Sequence, residues 1–238
     1  MTMTSREPFQ EDPLDAEAVL LRALEAPDFP TEFSLLGRRW ELIRGVFPGT
    51  LTAATEVMAT HLPYPVGGRL LEVGCGTGVI SVTAALSGVE KVVALDIVPN
   101  AITNTLRNAV RHGVEFRVDA RVSDVYSALD PSEVFDVIFW NVPWTYVAND
   151  FPMKTELHRA VFDPEYDGQR RMVQGARSHL APGGRLLIGT ADLKNAAALE
   201  ALASSVSAEL RMVERIRRIE APRVMEYHLM EVVFSDDR

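Results

Sequence analysis

From residue 69 onward the chain alternates short apolar runs with stretches of helical periodicity, and this alternation leaves few folds open. Strands are predicted at residues 69–73, 92–95, 115–118, 134–140 and 185–189. Helices are predicted over 78–86, 100–111, 167–180 and about 192–205. Repeated strand–helix–strand units require a parallel sheet with helices on both faces. Runs at 210–219 and 225–234 flank Ala221-Pro222 and predict a closing hairpin, its last strand antiparallel to the rest. The expected fold is α/β, with a mainly parallel seven-stranded sheet and an antiparallel C-terminal hairpin.

The first 62 residues follow another pattern and are expected to form a helical extension, a lid on the sheet domain of residues 63–238. Leu14, Ala18, Leu21 and Leu24 recur at helical spacing over residues 13–26, before Pro27 and Pro30. A short extended piece is expected at 40–47 and a helix at 50–61, stopped by Pro63 and Pro65.

Charge narrows the partners. The 238 residues carry a net charge of −9, and residues 1–36 hold eight acids against two bases. Such a front would be repelled by phosphates, so the balance argues against nucleic acid and for a small molecule. Arg215, Arg217, Arg218 and Arg223 form a basic cluster, interrupted by Glu214, Glu220 and Glu226, that reads as a solvated strand face. Cys75 is the single cysteine, which rules out an intrachain disulfide and fits a reducing cytoplasm. No apolar run approaches membrane-spanning length. The five histidines show no metal-ligand spacing, so no metal is expected. The hairpin edge is free to pair with a second copy in a homodimer.

The chemistry concentrates where predicted strands end. Glu72-Val73-Gly74-Cys75-Gly76-Thr77-Gly78 joins the first strand to a helix, whose N-terminus offers free amide donors. A dinucleotide fingerprint needs a glycine where Val79 stands. The Gly-x-Gly-x-Gly spacing instead resembles the cofactor loop of class I S-adenosylmethionine-dependent methyltransferases, which share a Rossmann-like sheet. Asp96 follows Gly74 by 22 residues at the next strand's end, where an acid can accept hydrogen bonds from ribose hydroxyls; the alternative is a cap for the helix starting near Pro99. The resemblance implies that S-adenosyl-L-methionine is held by Glu72, Gly74, Gly76, Thr77 and Gly78. It gives Asp96 and Ile97 the ribose, and Asp124 and Val125 the adenine, with Asp119 as a rival to Asp124. Cys75 is taken as a small loop residue.

After the fourth strand, Asn141-Val142-Pro143-Trp144 resembles the Asn-Pro-Pro-aromatic motif of amino-group methyltransferases, including release-factor glutamine methyltransferases. A planar nitrogen must have its N–H bonds held so that its lone pair faces the methyl group. The Asn141 side-chain oxygen and a backbone carbonyl near Val142 can accept those bonds and stabilise charge growing on the nitrogen. By the resemblance Asn141 touches both cofactor and substrate, and Trp144 stacks on the acceptor. Val142 stands where the family has proline, which loosens the loop. The alternative is a tight turn with a buried tryptophan. Gly45-Val46-Phe47-Pro48-Gly49-Thr50 resembles the segment preceding the glycine loop in glutamine and ribosomal guanine methyltransferases, making Phe47 and Thr50 candidate cofactor contacts. Residues 144–166 are rich in large side chains and suit a substrate pocket. There Val142, Trp144, Tyr146 and His158 are candidate substrate contacts. His158, Asp163 and Asp167 have the chemistry to touch a polar substrate or act as bases, and each also reads as a surface or capping residue.

These resemblances imply an enzyme that methylates an amine, amide or guanidine nitrogen of a small molecule. Three alternatives stay open: a protein glutamine methyltransferase, transfer to oxygen or carbon of a small metabolite, and a non-catalytic cofactor-binding subunit.

Overall fold

The computed structural model describes residues 30–143, 145–191, 196–220 and 223–235. Strands β3 (Arg69–Val73), β4 (Lys91–Asp96), β5 (Val118–Val122), β6 (Phe135–Asn141) and β9 (Leu180–Ala191) run parallel. Strands β10 (Ala208–Glu220) and β11 (Arg223–Phe234) complete a seven-stranded sheet of order β10-β11-β9-β6-β3-β4-β5. β11 is antiparallel to both its neighbours, as the closing hairpin requires. Helices α1 (Ala54–His61), α2 (Val79–Leu86) and α3 (Pro99–Arg111) cover one face, and α4 (Asp167–Gly175) and α5 (Ala196–Ser205) the other.

Period-two alternation divides each strand between two cores. Leu70, Val92, Ala94 and Leu187 pack with α1, α2 and α3, whereas Leu71, Val93, Leu95 and Ile188 pack with α4 and α5. Helix α2 is buried on nearly all sides, which accounts for its Val-Ile-Ser-Val-Thr-Ala-Ala-Leu sequence. Pro99 starts α3 at a position where a missing N–H costs nothing, and Gly113 follows its end with φ 69°.

Three elements depart from expectation. β5 begins three residues later than predicted, because Phe116 is 72% exposed and Arg117 turns back to Val114. β9 extends well beyond 185–189 because β6 and β11 pair with it on both sides. The helix expected over 50–61 starts only at Ala54. Two small sheets are additional: the hairpin β1 (Glu32–Leu35) with β2 (Arg38–Glu41), and the parallel pair β7 (Thr145–Val147) with β8 (Phe162–Pro164). The helix expected at 13–26 lies outside the described residues. Among the described residues no helix is long and apolar enough to cross a membrane.

The β1–β2 hairpin is fastened to α3 by two buried asparagines. Asn104 accepts from the Ile43 amide at 2.8 Å and donates to the Glu41 carbonyl at 2.9 Å. Asn108 accepts from the Glu41 amide at 2.7 Å and donates to the carbonyls of Glu41 and Thr77. Residues 41–49 are thereby drawn across the end of the sheet.

Candidate active site

A cavity of about 220 Å³ opens at the C-terminal ends of β3, β4 and β6. Chain order reverses there, with β4 and β5 laid to one side of β3 and β6 and β9 to the other. Crevices at such switch points are where open α/β sheets bind ligands.

The three loop glycines serve different neighbours. All have positive φ, 66° at Gly74, 53° at Gly76 and 79° at Gly78. A Cβ on Gly74 would sit 2.5 Å from the Trp140 indole nitrogen, and one on Gly78 would sit 2.8 Å from the Thr105 backbone. Around Gly76 nothing lies within 4 Å, so this residue alone turns a bare backbone to open space. That space is a cradle a Cβ would narrow, which fits the close approach of a cofactor.

The acids beside the loop are engaged by the protein. Asp96 accepts from the Gly76 amide and the Val98 amide, each at 2.9 Å, so one carboxylate fixes the glycine loop and the start of α3. Burial raises its pKa, and those amides oppose the shift. Glu72 is 3% exposed, takes the Ser81 hydroxyl, and is pushed by burial up to about 8. Asp124 lines the cavity and meets Arg171 through both oxygens at 2.9 Å. Its rival Asp119 instead pairs with Arg121 and Lys91. Val125 is buried at φ 51°, a conformation rare for a β-branched residue and held by Ser123, whose hydroxyl donates to the Val125 carbonyl.

At the other end, β6 delivers Asn141. Its Oδ1 is buried and has no hydrogen-bond partner among the described residues. Gly189 makes room for it, since a Cβ there would stand 3.0 Å away. The following loop carries Val142 in place of proline, yet it is tied down. The Val142 amide donates to the Gly189 carbonyl at 3.0 Å, and Gln169 Nε2 donates to the Pro143 carbonyl at 2.9 Å. Gln169 is itself fixed by Asp163, which caps α4 by accepting from the Gly168 and Gln169 amides. Asp163 thus caps, as expected, and also lines the cavity, with its pKa raised by burial.

Phe47, Glu72, Gly74, Gly76, Thr77, Asp96, Ile97, Asp124, Val125, Asn141 and Val142 all line this one cavity. Four sequence candidates do not. Thr50 is exposed in a turn, and Gly78 is spent on close packing against α3. Tyr146 is 53% exposed and meets Tyr166 edge-on. His158 is 1% exposed, accepts from the Thr155 amide at 2.9 Å and packs on Phe162, so its capping reading holds. Trp144 lies outside the described residues. Sequence reasoning missed Trp140, whose ring spans from Gly74 to Gly168, and Arg171, which reaches Asp124 across 47 residues. A large residue just before a strand-end asparagine is a readable signal; the Arg171 pairing had none.

Residues 43–216 match the family described as methyltransferase small domain. The chain belongs to that family. Membership bears out the expected S-adenosylmethionine-dependent methyltransferase domain, and the Gly76 cradle and the ring of polar groups around it fit that cofactor. Two curated relatives match. Ribosomal RNA small subunit methyltransferase C of Chromohalobacter salexigens is 32% identical over 163 residues, 66% of this chain and 43% of its own length. Release factor glutamine methyltransferase of Koribacter versatilis is 35% identical over 141 residues, 56% of this chain and 50% of its own. The chain spans about half the length of these relatives. Among solved structures, the T. thermophilus 16S rRNA N2 G1207 methyltransferase, in complex with AdoMet and guanosine, superposes with a TM-score of 0.59 at 20% identity. That match covers 88% of this chain and 53% of the other, and it shows a shared fold.

These relatives overturn one expectation. The acid surplus argues against nucleic acid, yet two of the three proteins named here act on ribosomal RNA. The physical reason is that net charge is a sum over the whole chain. Most of the acids of the first 36 residues lie before residue 30, while a base can be recognised by hydrogen bonds inside a cavity.

Proposed function

We propose that this protein methylates an exocyclic amino nitrogen of a nucleobase in RNA. The carrying observation is the buried, unpartnered Asn141 Oδ1 at the cavity's end, an acceptor that calls for a hydrogen-bond donor such as an amino group. S-adenosylmethionine supplies a sulfonium-bound methyl group, so the reaction forms one N–C bond, breaks one S–C bond and releases a proton from the nitrogen. Asn141 Oδ1 accepts one N–H of the incoming amine. With the Pro143 carbonyl already engaged by Gln169, the Val142 carbonyl takes the other. Both oxygens then stabilise the charge that grows on nitrogen. Trp144 stacks on the base, by the motif's pattern.

In this reading the cofactor lies along the glycine loop. Asp96 and Ile97 hold its ribose, Asp124 and Val125 its adenine, and Phe47 closes over it. Asp96 has already fixed the loop, so little ordering remains for binding to complete. An aromatic amine needs no general base before attack, which suits a site where Glu72, Asp96, Asp124 and Asp163 are otherwise engaged.

The same geometry accepts the side-chain amide of glutamine, and the Koribacter versatilis relative supports that second reading. Methyl-labelled S-adenosylmethionine incubated with unmodified ribosomal RNA and with unmodified release factor separates the two. Label recovered in an N-methylated nucleoside, and abolished by Asn141→Ala, is the expected result. Label in a protein glutamine moves the function to the second reading. Label on oxygen or carbon, or none while cofactor binds, sinks both.

A further inference from the structure

We propose that the free end of the β10–β11 hairpin is the RNA-backbone docking arm of this enzyme, a proposal that rests on the nucleobase reading above. The arm leaves the sheet on the side of the cavity. Tyr227 makes the last pair of β11 with β9, opposite Ala191, just beyond the point where Gly189 faces Asn141. Four further cross-strand pairs, from Arg217–Glu226 to Glu220–Arg223, continue past that edge. At the rise of a strand they reach roughly 13 Å beyond the sheet. The root of the arm adjoins the cavity, because the Tyr227 hydroxyl donates to Glu220 and lies beside Thr52, a lining residue.

Arginines gather at this arm in an acidic chain. Residues 214–226 hold four arginines and three glutamates in a chain of net charge −9. On one face Arg215 and Arg217 stand 52% and 70% exposed and share a single carboxylate, Glu226. On the other, Arg218 Nε has no hydrogen-bond partner among the described residues. The exposed forks of Arg215 and Arg217, two residues apart on one face, suit bidentate contacts to phosphate oxygens. A nucleotide whose base enters the cavity carries its flanking phosphates across this rim, and the arginines neutralise them there. Ile219 and Val224 face each other at the tip, 85% and 62% exposed, too small a patch to be a protein interface alone.

Fluorescence anisotropy with a labelled stem–loop RNA, titrated between about 50 and 200 mM NaCl, tests the arm. The triple variant Arg215→Ser, Arg217→Ser, Arg218→Ser is expected to bind this RNA about tenfold or more weakly, with a salt slope shallower by about 2. S-adenosylhomocysteine affinity should stay at the wild-type value, which shows that the fold is intact. Replacing the same arginines with lysine should restore most of the salt slope. Wild-type RNA affinity and slope in the serine variant would overturn the arm while leaving methylation of RNA by the wild type standing. If the wild type neither binds nor methylates RNA, the nucleobase reading falls and the arm falls with it. Loss of methylation on a protein acceptor, with RNA ignored, would assign the arm to protein and overturn this proposal.

Discussion

At the β3–β4 end of the cavity, Glu72 takes the Ser81 hydroxyl and Asp96 takes the Gly76 and Val98 amides, whereas at the β6 end Asn141 Oδ1 is buried with no partner. One half of the site is complete before anything binds. The other holds an unmet acceptor, at a cost of about 1–3 kcal/mol. The difference teaches how the two ligands would be read. A cofactor meets a loop already fixed by Asp96, so its affinity comes from pre-organisation. An acceptor relieves Asn141 by donating a hydrogen bond, so a molecule that presents no donor there leaves the atom unpaired and binds less well.

The largest expected effect is on turnover. Asn141→Ala should lower kcat on an N-acceptor by about 100-fold, measured in single-turnover methyl transfer. The same change removes an unsatisfied buried atom, so the melting temperature should hold or rise. A large fall in stability with little loss of rate would erase the contrast between the two ends.

The glycine loop sharpens the contrast further. Gly78→Ala drives a Cβ into the Thr105 backbone at φ 79° and should cost about 3 kcal/mol in denaturant unfolding. Gly76→Ala meets no atom within 4 Å, so only the backbone penalty of about 1 kcal/mol is expected. Its main effect should be weaker binding of S-adenosylhomocysteine. Equal losses of stability at both positions would mean that the loop's glycines share one role.

The smallest effect is electrostatic. Burial raises the Glu72 pKa from the ordinary 4.5 to about 8. Between those values the folded protein holds a proton that the unfolded chain has released, so stability falls as pH rises through that window. Glu72→Gln should remove that slope and raise the melting temperature at pH 8, with no gain at the acid end. An unchanged pH slope would place the buried charge elsewhere.

Much of the site was legible because its signals are local. Val92-Val93-Ala94-Leu95 reads as a doubly covered strand, and Asp96 follows at its end. The glycine spacing and Asn141 sit directly at strand ends. Other features depend on partners far along the chain. Asn104 and Asn108 read as ordinary polar residues of a helix, yet they fasten residues 41–43 from more than 60 positions away. Asp124 meets Arg171 only because α4 folds back over the β5 end. His158 had the right chemistry for a substrate contact, but the short helix at Glu156–Ala160 turns it inward as a cap. Charge misled for a different reason, since a whole-chain sum says nothing of how a base is recognised inside a cavity.

Calorimetric titration of S-adenosylhomocysteine into the wild type, Asp96→Ala and Asn141→Ala tests the division of the cavity most directly. Micromolar binding by the wild type, retained in Asn141→Ala and lost by a factor of about 10 to 100 in Asp96→Ala, is the predicted result. No binding by the wild type, or an equal loss in both variants, would contradict it.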